Sequence, residues 1–289
     1  MTDWRQSCCD VHVPRVSLGH NEDGIPSLAQ LGKVIDAVAG GEVRVHLDGF
    51  VAPYGFAALE ALRRRFALRG GRLVVHDLPG TTFTRPFSQT IGYDGAMGGG
   101  PTTIPLQSFD ASELASVGSF LEAQWANRAD ALVGTAASYA VDPVAEVFVN
   151  GLTHARSDIG IVACGQFFAK LQELHLSVVD LGIGIPRSLA ESRGRREVDI
   201  DPARAIAWAF EEGHTTGSTS RGLGLAIFRD FLLASNARLH VWSGRGIAKL
   251  ALGSWSVATS SRAFPGTLID LSLPASNVRP PPSRRRNPQ

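Results

Sequence analysis

Glu146 and Asn150 stand four residues apart in the run Glu146-Val-Phe-Val-Asn150-Gly-Leu-Thr-His154-Ala155. On a helix that spacing puts both side chains on one face, about 5–6 Å apart at Cβ. A carboxylate beside an amide suits hard-cation chemistry. The amide oxygen can ligate Mg²⁺, and the carboxylate can orient or deprotonate a nucleophile. Taken alone, the pair also reads as the polar face of a surface helix. Its neighbours Val147, Phe148, Val149 and Leu152 are apolar, however, so the helix is expected to be substantially buried. Buried Glu and Asn need partners.

Two more patterns follow in the chain. The run Leu176-Ser-Val-Val-Asp180-Leu-Gly182-Ile-Gly184-Ile185-Pro186 reads as a strand that delivers an Asp at its end, then two glycines. A carboxylate there can accept a hydrogen bond from an exocyclic amine such as adenine N6, and glycines let backbone approach a base with no Cβ in the way. A plain strand-to-turn transition would look the same. The third run, Thr215-Thr216-Gly217-Ser218-Thr219-Ser220-Arg221-Gly222-Leu223-Gly224-Leu225, is a polar stretch entering an apolar helix through glycines. The unpaired N–H groups at such a helix start favour a phosphate, and Arg221 and the hydroxyls could add donors. A glycine-containing N-cap led by Ser220 is the bland alternative.

The elements that must position these residues can be read from periodicity and breakers. In the first half, a helix is expected over Ser27–Val38, a strand over Val43–Leu47, a helix over Tyr54–Leu68 and a strand over Arg72–His76, joined by glycine turns. Strand, helix and strand with short turns predict a parallel crossover. The glycine-rich Gly95–Pro101 marks a domain boundary. Beyond it, Asp110 is the expected N-cap of a helix running toward Arg128. A second helix is expected over Asp142–Ser157, with Pro143 in its first turn. Strands near Ile159–Phe168 and Glu173–Asp180 come next, then a long segment, Leu181–Arg221, with a helix near Pro202–Glu211. A helix over Gly222–Leu233 and strands near Leu239–Ser243, Ile247–Leu252 and Thr267–Leu273 complete the reading. Helices grouped on one face of a mixed sheet give an α+β sandwich.

Composition bounds the function classes. The 289 residues suit two modest domains, and 44% hydrophobic with 19% charged residues is an ordinary globular balance. The net charge of +1 points neither to nucleic acid nor to a membrane. Arg279, Arg284, Arg285 and Arg286 lie in a Pro-rich end, 276–289, expected to be a solvated, disordered tail; without those four the net +1 becomes −3. Cys8, Cys9 and Cys164 have no metal-like spacing and imply reduced thiols. No signal-peptide pattern and no apolar run of roughly 20 residues is present, so a cytoplasmic location is expected.

In this order, the three patterns resemble the N, G1 and G2 boxes of the GHKL ATPase superfamily (gyrase, Hsp90, histidine kinase, MutL). The resemblance covers roughly Asp110 to Pro274. It implies a Bergerat fold over residues 101–275, with ATP and Mg²⁺ as ligands. It makes Asn150 the Mg²⁺ ligand and Asp180 the adenine-binding carboxylate. Gly182, Gly184 and Ile185 would shape the base pocket. Gly222, Leu223, Gly224 and Leu225 would face the phosphates, with Thr216 and Arg221 beside them. Glu146 matches the general base of gyrase-like and anti-sigma-kinase members. Gly266-Thr267 is similar to the late Gly-Thr that holds the adenine-binding Asp. Arg187–Arg221 would be the ATP lid, a long mobile loop. Residues 1–100 resemble, by placement, a STAS domain in Val45-His-Leu-Asp48-Gly-Phe-Val-Ala-Pro-Tyr54-Gly55-Phe-Ala-Ala-Leu59, with Tyr54 where the phosphorylatable serine would stand; a generic βαβ unit would read the same. Such a domain is expected to dock a partner, not to accept phosphate on serine.

Missing features narrow the branch. No phosphoacceptor-histidine helix precedes the ATPase-like region, which argues against a self-contained sensor kinase. Only Lys33, Lys170 and Lys249 are present, which argues against a topoisomerase- or chaperone-like machine that sends a lysine to the γ-phosphate. The remaining resemblance is to the anti-sigma-factor serine-kinase branch. It implies an ATP-dependent regulator acting with a STAS-type or other regulatory protein partner, with a homodimer left open. The alternative is a non-catalytic, nucleotide-switched binding module.

Overall fold

The computed structural model describes residues 11–18, 24–38, 40–76, 102–126, 136–211 and 224–275. The first half builds a parallel sheet in the order β1-β2-β3 from Val11–Ser17, Gly41–Asp48 and Gly71–His76. Its connections are helices α1 (Gly24–Ala37) and α2 (Pro53–Ala67). Strand β2 alternates as a one-faced strand should: Val43, Val45 and Leu47 are buried, while Glu42, Arg44 and His46 are half-buried. The registers Val43↔Leu73 and Val45↔Val75 confirm the expected parallel pairing.

Apart from Glu60, helix α2 carries no charged side chain over its first ten residues, Pro53 to Leu62, and all ten are buried. A helix without a wet face must be covered on two sides, and α2 is. One side packs on the parallel sheet; the other packs on a second, five-stranded sheet through Val162, Cys164, Val179 and Leu268. Fully burying Phe56, Leu59, Leu62 and Phe66 contributes about 1.5–3 kcal/mol each. Beyond Glu60 the helix turns polar at Arg63, Arg64 and Arg65. There Arg63 pairs with the buried Glu60 at 2.6 Å, and Arg64 reaches Ser108 across the layers at 2.7 Å. Tyr54 is buried between the layers, so no exposed hydroxyl stands at the position aligned with a STAS phosphoacceptor.

The second sheet runs in the order β4-β5-β6-β8-β7, from Thr103–Phe109, Ile161–Phe168, Glu173–Asp180, Ser254–Pro274 and Arg238–Ala251. Every described pairing in it is antiparallel, where a mixed sheet was expected. Its second face carries Ala163, Leu176, Val178, Ile269, Leu271 and Val241. That face is covered by α3 (Ser116–Ala126), α4 (Ala136–His154), α6 (Pro202–Ala209) and α7 (Gly224–Ala234). The layers therefore read sheet, helices, sheet, helices, within a general α+β class. The halves divide by sheet and share a core: Leu106, Trp242 and Phe264 pack in one cluster with Leu28, Ile35 and Phe56. The Gly95–Pro101 boundary and the tail 276–289 lie outside the described residues. Among the described residues no helix is long and apolar enough to cross a membrane.

Several element boundaries differ from expectation. Helix α4 starts at Ala136, so Pro143 lies inside it and not in its first turn. Asp110 caps a single 3₁₀ turn, Ala111–Glu113, through a capping box with Glu113, and α3 begins only at Ser116. Strand β4 was not anticipated. Strands β7 and β8 run unbroken into a long hairpin where three short strands were expected. The segment from Arg187 is not a long loop in its described part. It contains the end of α5 (Gly184–Ser192), a 3₁₀ turn Glu197–Asp199 and α6, and it buries Leu189, Ala190, Ala205, Ile206 and Phe210.

Candidate functional site

Strand β6 ends at Asp180, as its sequence requires, and the sheet register fixes what stands beside it. Asp180 pairs with Thr267 on β8, and Thr267 pairs with Ser243 on β7. Direct cross-strand partners point to the same face, so the three side chains form one polar row. The row terminates the apolar rows Val178–Ile269–Val241 and Leu176–Leu271–Leu239 below it, on the face covered by helices.

Asp180 is only 6% exposed. Its Oδ1 accepts from the Gly182 N–H at 2.9 Å and the Thr267 N–H at 3.3 Å. Burial raises its pKa to about 6, against the opposing pull of those donors. Among the described residues no charged side chain is a cause of that shift. Ser243 is fully buried beside it. Its Oγ accepts from the Ile185 N–H at 2.7 Å and lies 2.9 Å from Thr267 Oγ1.

The turn after Asp180 is held against the end of α4. The Ile183 N–H donates to the Ala155 carbonyl at 2.8 Å. A Cβ on Gly182 would collide with that same carbonyl, so this position excludes every other residue on backbone grounds. This contact joins the second sequence pattern to the first.

Glu146 and Asn150 lie on α4, both half-buried. The Asn150 Nδ2 donates to the Glu146 carbonyl at 2.6 Å, one helical turn back. The amide nitrogen is thereby committed to the helix, which leaves the amide oxygen as the end that can serve as an acceptor or ligand. Burial, then the Asp142 charge, raise the Glu146 pKa, which suits a proton acceptor better than an ordinary surface carboxylate would. Burial lowers the pKa of His154, one turn further on. Gly224, the first residue of α7, joins the third pattern to the first: an added Cβ would meet Glu146 Oε2 and lie 3.5 Å from Asn150 Nδ2. Leu225 packs against the core behind the site.

The structure thus places Asp180, Gly182, Gly184, Ile185 and Thr267 in one contact group and Glu146, Asn150 and Gly224 in another, with α4 joining the two through its end at Ala155. Thr216, Arg221, Gly222 and Leu223 lie outside the described residues. Two participants were missed in the sequence: Ser243, which reads as one more polar residue at a strand end, and the carbonyl of Ala155, which carries no side-chain signal. A polar cleft of about 210 Å³ opens between the end of α4 and α5, lined by Thr153, His154, Arg156, Ser188, Glu191 and Ser192. Arg156 and Arg187 both pair with Glu191 there, at 2.6 and 2.8 Å, which lowers its pKa. Among the described residues no group of three or more His, Cys, Asp or Glu is arranged to hold a metal ion. Comparison of the chain with models of known protein families finds no match, and comparison with characterised proteins finds none either.

Proposed function

We propose that the protein binds Mg-ATP at this site and acts as an ATP-dependent regulator, in the manner of the GHKL proteins that its three patterns resemble. The observation that carries the reading is Asp180. A carboxylate buried among described neighbours that carry no charge sits at a glycine turn clamped to the helix that bears Glu146 and Asn150. Keeping a charge there costs stability, and a ligand donor such as an exocyclic amine offsets that cost. Gly182 lets the turn lie against the Ala155 carbonyl, which fixes where Asp180 stands. The start of α7 offers N–H groups to phosphate oxygens.

Asn150 is the group that would face Mg²⁺, with Glu146 one turn away. A cation held by one or two side chains and by substrate phosphates, without a protein cage, is the usual arrangement for Mg²⁺ with nucleotides. The ion would neutralise charge that develops on the phosphates. Glu146 is the acceptor for the proton of an attacking hydroxyl, from water or from a serine or threonine of a partner. As that proton leaves, the new P–O bond forms and the bond to the ADP oxygen breaks. Docking by the N-terminal half to a STAS-type or other regulatory partner, and a cytoplasmic setting, belong to the same proposal.

Incubation with γ-labelled ATP and Mg²⁺, alone and with candidate partners, tests the reading. Transfer or hydrolysis that disappears in Glu146→Gln supports it. Failure of the wild-type protein to bind ATP refutes it.

A further inference from the structure

We propose that the far half of strand β8, Ser254 to Thr259, is an interface through which two copies of this chain pair edge to edge, about a two-fold axis at Val257. The inference goes beyond the nucleotide reading and does not depend on it.

Strand β8 is 21 residues long, but β6 pairs only with its end, from Thr267 to Pro274. Further out, β8 has β7 alone beside it, from Ala251↔Ser254 to Gly246↔Thr259. Its other edge is open there. Among the described residues no backbone hydrogen bond outside that ladder engages Ser254 to Thr259. Five of these six residues are exposed; Trp255 is half-buried, its ring 5.0 Å from that of Phe210. The residues that follow are tied to their own chain. The Ser260 carbonyl accepts from the Arg245 guanidinium at 2.8 Å, and Arg262 donates to the Pro26 carbonyl at 3.2 Å.

An open edge presents unpaired N–H and C=O groups that recruit another strand, and folds blunt it with proline, charge, bulges or shortness. The other edges of this chain are blunted. Strand β1 carries Pro14 and a register break between Val13 and Val16; β4 carries Pro105 and a break between Ile104 and Gln107. Strand β3 is short and bears the exposed Arg72, and β7 bears Arg245, Lys249 and the breaks around Gly244. From Ser254 to Thr259 there is no proline, no charge and no break. The occupant follows from register. Antiparallel pairing about a two-fold axis normal to the sheet keeps every residue on its own face, so the axis passes through a residue. Centred on Val257, which is 40% exposed, it sets Val257 opposite its own copy, Trp255 opposite Thr259 and Ser256 opposite Ala258. An apolar pair flanked on both sides by aromatic–β-branched pairs is the kind of cross-strand contact that stabilises a sheet. No charge meets its like: the nearest, Arg262, falls opposite Leu252, which is 96% exposed at the hairpin tip. A second copy of this chain therefore fits the edge with its apolar centre matched and no charge opposed.

The test is sedimentation of the full chain without nucleotide, from micromolar to submillimolar concentration, where a monomer–dimer equilibrium is expected. Val257→Lys and Val257→Glu each place like charges opposite one another at the axis. Each should weaken self-association at least about tenfold, with circular dichroism unchanged because the residue is exposed. Mixing the two variants sets Lys opposite Glu and should restore the dimer, a rescue that lost folding would not give. Cross-linking tests the register, in a Cys8→Ser, Cys9→Ser background where the remaining Cys164 is buried. Val257→Cys should join two chains on mild oxidation, since directly opposed Cβ atoms lie about 4.5–5.5 Å apart. Thr259→Cys should not, because it stands about 14 Å along the strand from its own copy. A chain that stays monomeric throughout, a dimer that Val257→Lys leaves unchanged, or cross-linking at Thr259→Cys in place of Val257→Cys would overturn the proposal. Self-association is read without nucleotide, so a failure to bind ATP would refute the nucleotide reading alone.

Discussion

Replacing Asp180 by Asn should make the protein more stable and, at the same time, poorer at binding ATP. Asn is isosteric and keeps an oxygen to accept from the Gly182 and Thr267 N–H groups. What it removes is the buried charge. The folded-state pKa is raised from 3.8 to about 6, so stability is fully present below 3.8 and is lost as pH rises through 6. That shift of about 2 units corresponds to about 3 kcal/mol at neutral pH. The group is only 6% exposed, so solvent screening takes little from that figure. Asp180→Asn should recover up to about 3 kcal/mol at pH 7.5, with the gain shrinking toward zero as pH falls to 4. Guanidinium unfolding of both proteins across that range measures it. Meanwhile the Asn amide opposes its own N–H₂ to the base amine, and loss of a charge-assisted bond should weaken Mg-ATP binding by about 1.5–3 kcal/mol. A variant that is less stable at pH 7.5, or that binds ATP as well as the wild type, would refute the assignment of Asp180 as a charge kept at a cost for a ligand.

Other outcomes follow from the same geometry. Glu146→Gln should abolish turnover while ATP stays bound, because the carboxylate acts on the nucleophile; single-turnover assays showing residual wild-type rates would remove its role. Asn150→Ala should weaken binding only when Mg²⁺ is present, which titrations with and without the metal would reveal. Gly224→Ala pushes a methyl group into the Glu146 carboxylate and should lower Mg-ATP affinity at least about tenfold with circular dichroism unchanged. In the nucleotide-free protein, α5 and α6 should be protected from hydrogen exchange, since Leu189, Ala205, Ile206 and Phe210 are buried and Arg193 stacks 5.1 Å over Trp208. Exchange there as fast as in a free peptide would restore the idea that the whole segment from Arg187 is a moving loop.

What was legible in the sequence was whatever local periodicity encodes. Strand β6 falls on Glu173–Asp180 as expected, because alternation and a following glycine turn bound it on both sides. The face shared by Glu146 and Asn150 follows from helical spacing alone. Other features depend on partners distant in sequence. Strand β4, Thr-Ile-Pro-Leu-Gln-Ser-Phe, contains a proline and reads as a loop until β5 pairs with it. The distal part of β8 is mostly polar and is a strand only because β7 pairs along it. The start of α4 was placed too late because Pro143 reads as a first-turn residue, whereas the helix runs through it from Ala136. Helix α5 was missed because Gly184 and Pro186 read as breakers; a glycine at φ +74° followed by a proline in the first turn opens the helix instead. The polar row is the clearest case. Asp180 and Thr267 were identifiable, but Ser243 joins them only through the register of three strands.

Calorimetric titration of the full chain with Mg-ATP, and with Mg-GTP as comparator, tests the central claim most directly. A donor-reading carboxylate at the base should accept the adenine amine and reject guanine, which presents a carbonyl at that edge. The expected result is one site per chain, saturable by ATP, much weaker for GTP, and lost in Asp180→Asn. No binding of either nucleotide, or equal binding of both that survives Asp180→Asn, would contradict it.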